Sequence, residues 1–317
     1  MAARQFHKLP VPNTDCTGKT VIVTGANVGL GLETARHFVR LNAKRVIIAC
    51  RNAEKAEAAK ADIESTTGRS GVVDVWSVDL TSFGSVIDFC GRAAELDRLD
   101  IVIENAGLAP LKFELAEGYD SQITVNVIST ALMALKLLPV LRRTSTTYNV
   151  EPHLVIVSSD AHRFVTWPVM RQTEGFFESF RTDKMYNERY SIGKLFEVLF
   201  VQELAKALDH AGKSKVVVNT VHPGLCSSSL FRDMPAPVSW IINGLMLVFA
   251  RTCEVGARNF VFAGLLPGTH GAYISECKAT DPSLHVTNEL GIRTQKQVYK
   301  ELMEILEKIE PGISENI

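Results

Sequence analysis

Apolar strand-like runs alternate with helix-period segments along almost the whole chain. Near-continuous, β-branched apolar stretches at 20–24, 45–50, 72–78, 100–104, 153–158 and 215–221, with a shorter one near 272–275, predict strands buried on both faces. Between them, residues 30–42, 53–66, 82–96, 119–143, 188–211 and 254–265 carry apolar positions at helical spacing, and a further helix is expected near 294–309. This alternation predicts βαβ units: an α/β fold with a doubly wound parallel sheet of about seven strands and helices on both faces. There is no linker, repeat or low-complexity stretch, so residues 1–317 read as a single domain. Two segments, near 162–189 and 226–250, break the alternation. Both follow strands, where open α/β sheets bind their ligands, so a substrate site is expected there.

The first strand runs into a glycine-rich turn. VIVTGANVGLGLETARHFVR passes from Val21–Val23 through Gly25, Gly29 and Gly31 into a helix whose face carries Leu30, Thr34, Phe38 and Leu41. A strand end aimed at a helix N-terminus presents free N–H groups and a positive dipole end to an anion. A nucleotide pyrophosphate is the leading candidate and a plain bend the alternative, because the spacing departs from G-x-G-x-x-G.

Composition narrows the class. A hydrophobic content of 46% over 317 residues is ample for a large core, and a net charge of −1 gives no reason to expect nucleic acid as a partner. Six cysteines, at 16, 50, 90, 226, 253 and 277, show neither C-x-x-C nor metal-ligand spacing. They predict a reduced, intracellular protein without a metal, with Cys50 and Cys90 as small core residues. The N-terminus has no secretory apolar run, and no segment reaches the roughly 18 consecutive apolar residues of a membrane span. Residues 240–250 (WIINGLMLVFA), interrupted by Asn243 and Gly244, read as a lid or core helix, with shallow membrane contact as the alternative. A cytoplasmic location follows, with peripheral membrane association as its variant.

Only one of six tyrosines has a lysine four positions on: Tyr190, in YSIGK, with Lys194. On a helix the two share a face, and the ammonium is expected to lower the phenol pKa from about 10, giving a usable proton donor and acceptor.

Thr24-Gly25-Ala26-Asn27-Val28-Gly29-Leu30-Gly31 together with Tyr190-x-x-x-Lys194 resembles the short-chain dehydrogenase/reductase family. Further elements of that resemblance follow in order over roughly residues 18–275. Asp79, with Leu80 beside it, matches the family's adenine-contacting acid, and Asn105-Ala106-Gly107 matches the NAG motif beside the cofactor. Asn126 and Ser159 match the asparagine and serine of the catalytic tetrad. Pro223-Gly224 matches the family's PG element, with Ser228 at its hydroxyl position near the carboxamide. The resemblance implies a Rossmann-type fold and a nicotinamide dinucleotide whose pyrophosphate lies against the glycines.

Charge selects the dinucleotide. An acid ending the second strand would bind the ribose 2′-OH of NAD; here Cys50 holds that place and Arg51 follows, so the resemblance implies NADP(H). Cys50-Arg51-Asn52, the long gap between Ser159 and Tyr190, and His222-Pro223-Gly224 look most like the retinol-dehydrogenase-like branch. The implied activity is interconversion of a carbonyl and an alcohol on a small molecule. Ser159 binds the substrate oxygen, Tyr190 moves its proton, Lys194 supports the phenolate and the nicotinamide ribose, and Asn126 positions a relay water. A cofactor-binding protein with a non-redox or scaffold role is the alternative. A hydrolase is excluded by the lack of G-x-S-x-G. Phe164, Trp167, Phe176, Phe177, Phe180, Phe231, Trp240 and Met246 in the two insertions suggest an apolar or aromatic substrate, unless they pack the insertions onto the body. Leu195, Val198, Leu199 and Leu204 are more apolar than one core face needs, so a homo-oligomer is expected unless the C-terminal helix covers them.

Overall fold

β1 (Thr20–Thr24) is buried at every position. Its period-two geometry sends Ile22 to one face of the sheet and Val21 and Val23 to the other, into two separate apolar clusters. That division organises the computed structural model, which describes residues 8–166, 175–213, 215–227 and 250–317. Behind β1 come α1 (Gly29–Arg40), β2 (Arg45–Cys50), α2 (Ala53–Thr67), β3 (Val73–Ser77), α3 (Phe83–Ala94) and β4 (Ile101–Glu104). A small hairpin, β5 (Leu115–Ala116) and β6 (Tyr119–Asp120), precedes a π-helical stretch over Thr124–Ser129, which continues into α4 (Thr130–Tyr148). Then follow β7 (His153–Val157), α5 (Arg189–Ala211), β8 (Val217–Val221), α6 (Cys253–Ala263), β9 (Tyr273–Ser275), β10 (Lys278–Thr280) and α7 (Glu289–Ile309).

The sheet order is β10-β9-β8-β7-β4-β1-β2-β3. Every pairing is parallel except β9 with β10. The chain winds outward from β1 through β2 and β3, then returns to place β4 on the other side of β1. That reversal opens a crevice beyond the carboxyl ends of β1 and β4, the topological switch point of such sheets.

Three expectations need correction. The sheet has eight strands, not about seven, because Lys278–Thr280 adds an antiparallel edge too short and polar to register as a strand pattern. The helix expected over 119–143 begins as the β6 edge of the hairpin, passes through π geometry and runs on to Tyr148. The C-terminal helix starts earlier than 294, capped by the Asn288 side chain accepting from Gly291 N.

The apolar surplus on α5 also has its partner within the chain. Leu195, Val198, Leu199 and Leu204 are all closed to solvent, and α7 packs along α5 with Tyr299 stacked on Phe200 at 6.0 Å. Those leucines therefore provide no surface for a second copy. Among the described residues, one helical stretch, 121–148, is long and apolar enough to cross a membrane, but its apolar window is buried in the core. Residues 240–249 of the segment 240–250 lie outside the described residues.

Candidate active site

The glycine turn follows β1 directly. Gly25 and Gly29 have φ of +65° and +63°, a region that disfavours a Cβ. At Gly29 there is room, so conformation alone demands glycine there. At Gly31 the demand is steric: an added Cβ would lie 2.5 Å from the Gly25 carbonyl oxygen and 2.6 Å from Asn105 Nδ2. Asn105 Nδ2 donates to the Thr24 and Gly25 carbonyls at 2.8 and 3.3 Å, and Ala106 N donates to Thr24 Oγ1 at 3.0 Å. Thr24, fully buried, thus fastens the turn to the end of β4 rather than facing the crevice.

α1 begins without a cap. Val28 offers no side-chain acceptor and the first turn holds no acid, whereas α2, α3, α6 and α7 are each capped by a side chain. The α1 N–H groups and positive dipole end are left to a ligand, which suits a pyrophosphate. Asn27, Gly29 and Leu30 form this wall of a cleft of about 1690 Å³. Such a volume exceeds the roughly 300–1,000 Å³ of single-ligand pockets, leaving room for a dinucleotide and a substrate.

At one end of the cleft, Cys50 is buried and Arg51 is exposed. Arg51 and Lys55 both line the cleft, and neither side chain makes a hydrogen bond or ion pair among the described residues. Asp79 Oδ1 accepts from Thr81 N and Oγ1 at 2.9 and 2.7 Å, while the other carboxylate oxygen is uncommitted; Leu80 lies beside it. This donor and acceptor set fits a phosphorylated adenosine half. Ala106, Gly107, Pro223 and Gly224 continue the cleft floor toward the other end. Ser228 lies outside the described residues.

At that other end, β7 and α5 bring Ser159, Tyr190 and Lys194 to one wall. Ser159 Oγ accepts from Ala161 N at 3.2 Å, which leaves its own proton to be donated either to the neighbouring Tyr190 phenol or to a ligand oxygen. Lys194 Nζ lies 5.8 Å from the Tyr190 ring centre and donates to the Val157 carbonyl at 2.8 Å and Glu197 Oε1 at 2.7 Å. Its third proton is free for the cleft.

One expectation is corrected here. The Tyr190 pKa is raised, not lowered. Burial pushes it up, Lys194 pulls it down, and Glu197 pushes it up again by offsetting the lysine. The Asn126 carboxamide accepts from Leu108 N at 2.8 Å and donates to Leu108 O at 2.9 Å. Asn126 thus anchors the loop after Gly107 from within the π-helical stretch.

Several residues at this end carried no visible signal in the sequence. Glu197 is the ion-pair partner of Lys194, and its i,i+3 spacing with Lys194 is common enough in any helix to pass unnoticed. His162 is closed to solvent; its Nδ1 bonds the Ser159 carbonyl at 2.7 Å and its Nε2 accepts from Ser283 N at 3.0 Å. His222 Nδ1 accepts from Gly224 N at 3.1 Å, Nε2 bonds Ser275 Oγ at 2.8 Å, and the ring stacks on Tyr273, fixing the Pro223-Gly224 turn.

The aromatic residues of the first insertion divide. Phe176, Phe177 and Phe180 are buried around Phe196 and pack that insertion onto the body. Phe164, 65% exposed, lines the cleft together with Leu108, Ala109, Pro110, Arg163 and Lys278. Trp167, Phe231, Trp240 and Met246 lie outside the described residues.

The family profile described as short chain dehydrogenase matches residues 19–170. The short chain dehydrogenase/reductase dmxR8 of Cryptosporiopsis sp. (strain 8999) is 41% identical over 319 residues, covering 98% of this chain and 97% of its own. The short-chain dehydrogenase anuD of Penicillium roqueforti (strain FM164) is 39% identical over 317 residues, covering 97% of this chain and 82% of its own. Among solved structures, the Pseudomonas aeruginosa RhlG/NADP active-site complex aligns with a TM-score of 0.60 at 23% identity, over 82% of this chain and 95% of that one. A short-chain type dehydrogenase/reductase from Mycobacterium marinum aligns with a TM-score of 0.63 at 18% identity, over 82% and 94%. At such identities the two structures speak to the fold alone.

Proposed function

The chain belongs to the short-chain dehydrogenase/reductase family, and from that premise we propose that it is an NADP(H)-dependent oxidoreductase that works as a ketone or aldehyde reductase. The observation that carries this reading is the placement of Ser159, Tyr190 and Lys194 on one wall of a cleft whose floor begins at the uncapped α1 N-terminus. For the cofactor, support comes from Cys50 in the place of an NAD-binding acid and from the exposed cations Arg51 and Lys55 that follow it along the cleft. When bound, the dinucleotide supplies or accepts the hydride.

The chain's own residues do the rest. The α1 N-terminus and glycine turn hold the pyrophosphate, Asp79 the adenine and Arg51 the 2′-phosphate. Ser159 donates its free proton in a hydrogen bond to the carbonyl oxygen, and Tyr190 delivers its phenolic proton to that oxygen as negative charge develops. Lys194, fixed by Val157 and Glu197, directs its remaining proton toward the nicotinamide ribose and stabilises the phenolate left on Tyr190. A phenol pKa held high by burial suits a proton donor, the role it has in reduction. The apolar wall of Leu108, Ala109, Pro110 and Phe164 supports a small substrate with an apolar or aromatic face. Within the family we place the chain beside the retinol-dehydrogenase-like branch on Cys50-Arg51-Asn52 and His222-Pro223-Gly224, which does not make retinol its substrate.

The test follows NADPH oxidation with a panel of ketones and aldehydes. Tyr190→Phe should lower turnover by about 10²–10⁴-fold, the usual worth of a general acid, with NADPH affinity within a few-fold of wild type. Lys194→Ala should impair both. A Tyr190→Phe enzyme retaining most of its rate would sink the mechanism. A wild-type protein that binds NADPH yet reduces nothing would favour a binding role instead.

A further inference from the structure

Two buried carboxyl groups lie behind the lysine of this mechanism, one of them its ion-pair partner. Glu197 stands one turn after Lys194 on α5, and Glu104 is the last residue of β4, directly before Asn105. They are 3% and 4% exposed. Glu197 Oε1 accepts from Lys194 Nζ at 2.7 Å. Glu197 Oε2 and both oxygens of Glu104 have no hydrogen-bond partner among the described residues. A buried carboxylate without donors or a cation gives way to its protonated form. Lys194 decides between them, because only Glu197 touches it.

We propose that ionised Glu197 orients and neutralises the Lys194 ammonium while Glu104, buried without a donor or a cation, stays protonated, and that the Glu197–Lys194 pair sets the proton affinity of Tyr190. Glu197 is thus a positioning residue. The proposal rests on Tyr190 as the proton donor of the reading above, but its test requires no turnover.

The electrostatics agree with the geometry. Burial and the neighbouring Glu197 hold the Glu104 carboxyl well above the ordinary range. Burial pushes Glu197 up, and the Lys194 ammonium in direct contact pulls it down and holds it as the carboxylate. Lys194 and Tyr190 on α5, Ser158 after β7 and Tyr273 on β9 act on Glu197, while Cys90 on α3 faces Glu104, with Lys136 and Glu310 beyond it. Lys136 is already paired with Glu310, so Lys194 is the cation that Glu197 answers, and one positive charge meets one negative charge when Glu104 keeps its proton. The Tyr190 phenol consequently sees a neutral pair rather than a bare cation.

The experiment uses the full chain and two spectroscopic readouts. Ultraviolet titration of phenolate, with Tyr190→Phe as the blank, isolates Tyr190. Glu197→Gln should lower the Tyr190 pKa by about one unit or more, since it exposes the phenol to an unneutralised cation a few ångströms away. Glu197→Asp, which keeps the charge, should restore most of the wild-type value. Glu104→Gln, a neutral amide for a neutral acid, should shift it by less than about 0.3 unit. Infrared spectroscopy near neutral pH should show a buried protonated carboxyl that disappears in Glu104→Gln and persists in Tyr190→Phe. An unshifted Tyr190 in Glu197→Gln, an equal shift in Glu104→Gln, or no protonated carboxyl would overturn the proposal. If Glu197→Gln does not fold, or alkaline unfolding hides the phenol, the infrared band decides alone. A lack of reductase activity would leave both readouts intact, so failure of the function and failure of the pair are distinguishable.

Discussion

Two glycine-to-alanine substitutions within helices should have opposite effects on this protein. At Gly31, near the start of α1, the new methyl would sit 2.5 Å from the Gly25 carbonyl oxygen, 2.6 Å from Asn105 Nδ2 and 2.9 Å from Ala26 Cα. Two of those three neighbours are backbone and cannot swing away. Overpacking of this kind costs about 1–3 kcal/mol. Displacing Asn105 also strains its bonds to Thr24 and Gly25, each worth about 1 kcal/mol. The intrinsic helix gain of alanine over glycine returns about 1 kcal/mol. Gly31→Ala should therefore destabilise by roughly 2–3 kcal/mol. At Gly91, exposed on α3, a methyl meets nothing within 4 Å, and the same substitution should stabilise by about 0.5–1 kcal/mol. Urea unfolding of both variants without cofactor measures the difference. The absence of cofactor matters: a loss there means that the chain's own β4 turn excludes a side chain at Gly31, before any pyrophosphate arrives. A Gly31→Ala protein as stable as wild type, with only its dinucleotide affinity reduced, would refute this reasoning.

Two further outcomes are expected. Arg51→Glu should weaken NADPH binding by about ten-fold or more, through loss of a charge-assisted bond and added repulsion, with much less effect on NADH; equal losses in calorimetry would count against the 2′-phosphate assignment. His153 and His162 are each held down to about 4 by burial, so the unfolded chain takes up protons that the native chain refuses as pH falls from about 6.5 toward 4. Stability should drop by about 2 kcal/mol per histidine between about pH 7 and pH 5, and His162→Gln should remove its share of that slope. A slope unchanged in His162→Gln denaturation curves would show that its burial does not control titration.

The sheet's parallel part was legible because its strands obey one physical rule: a strand covered on both faces is apolar at successive positions, as Val21–Val23 and Val46–Ala49 are. Lys278–Thr280 was invisible for the complementary reason. An edge strand needs only half its backbone paired and can be short and polar, so nothing in Lys-Ala-Thr distinguishes it from a turn. The π-helical stretch over Thr124–Ser129 is equally silent in sequence, because a bulge of this kind changes hydrogen-bond partners without changing the apolar face.

For the site, spacing placed Tyr190 and Lys194 on one helix face, but it could not supply the sign of the phenol's pKa shift. That sign depends on burial and on Glu197, which sits on the same helix and is also brought against β4. An i,i+3 lysine–glutamate pair on a solvated helix contributes a few tenths of a kcal/mol and shifts little. The same pair with both side chains removed from water controls the charge felt by every neighbour, because screening is lost. Burial of α5 on both sides, by α7 and by the sheet's π-helical flank, is a tertiary property that residues 188–211 alone do not encode. Glu104 follows the same logic. Read along the strand it is a polar end residue at the margin of β4, where solvent would be the default. Only the fold turns it into a buried acid.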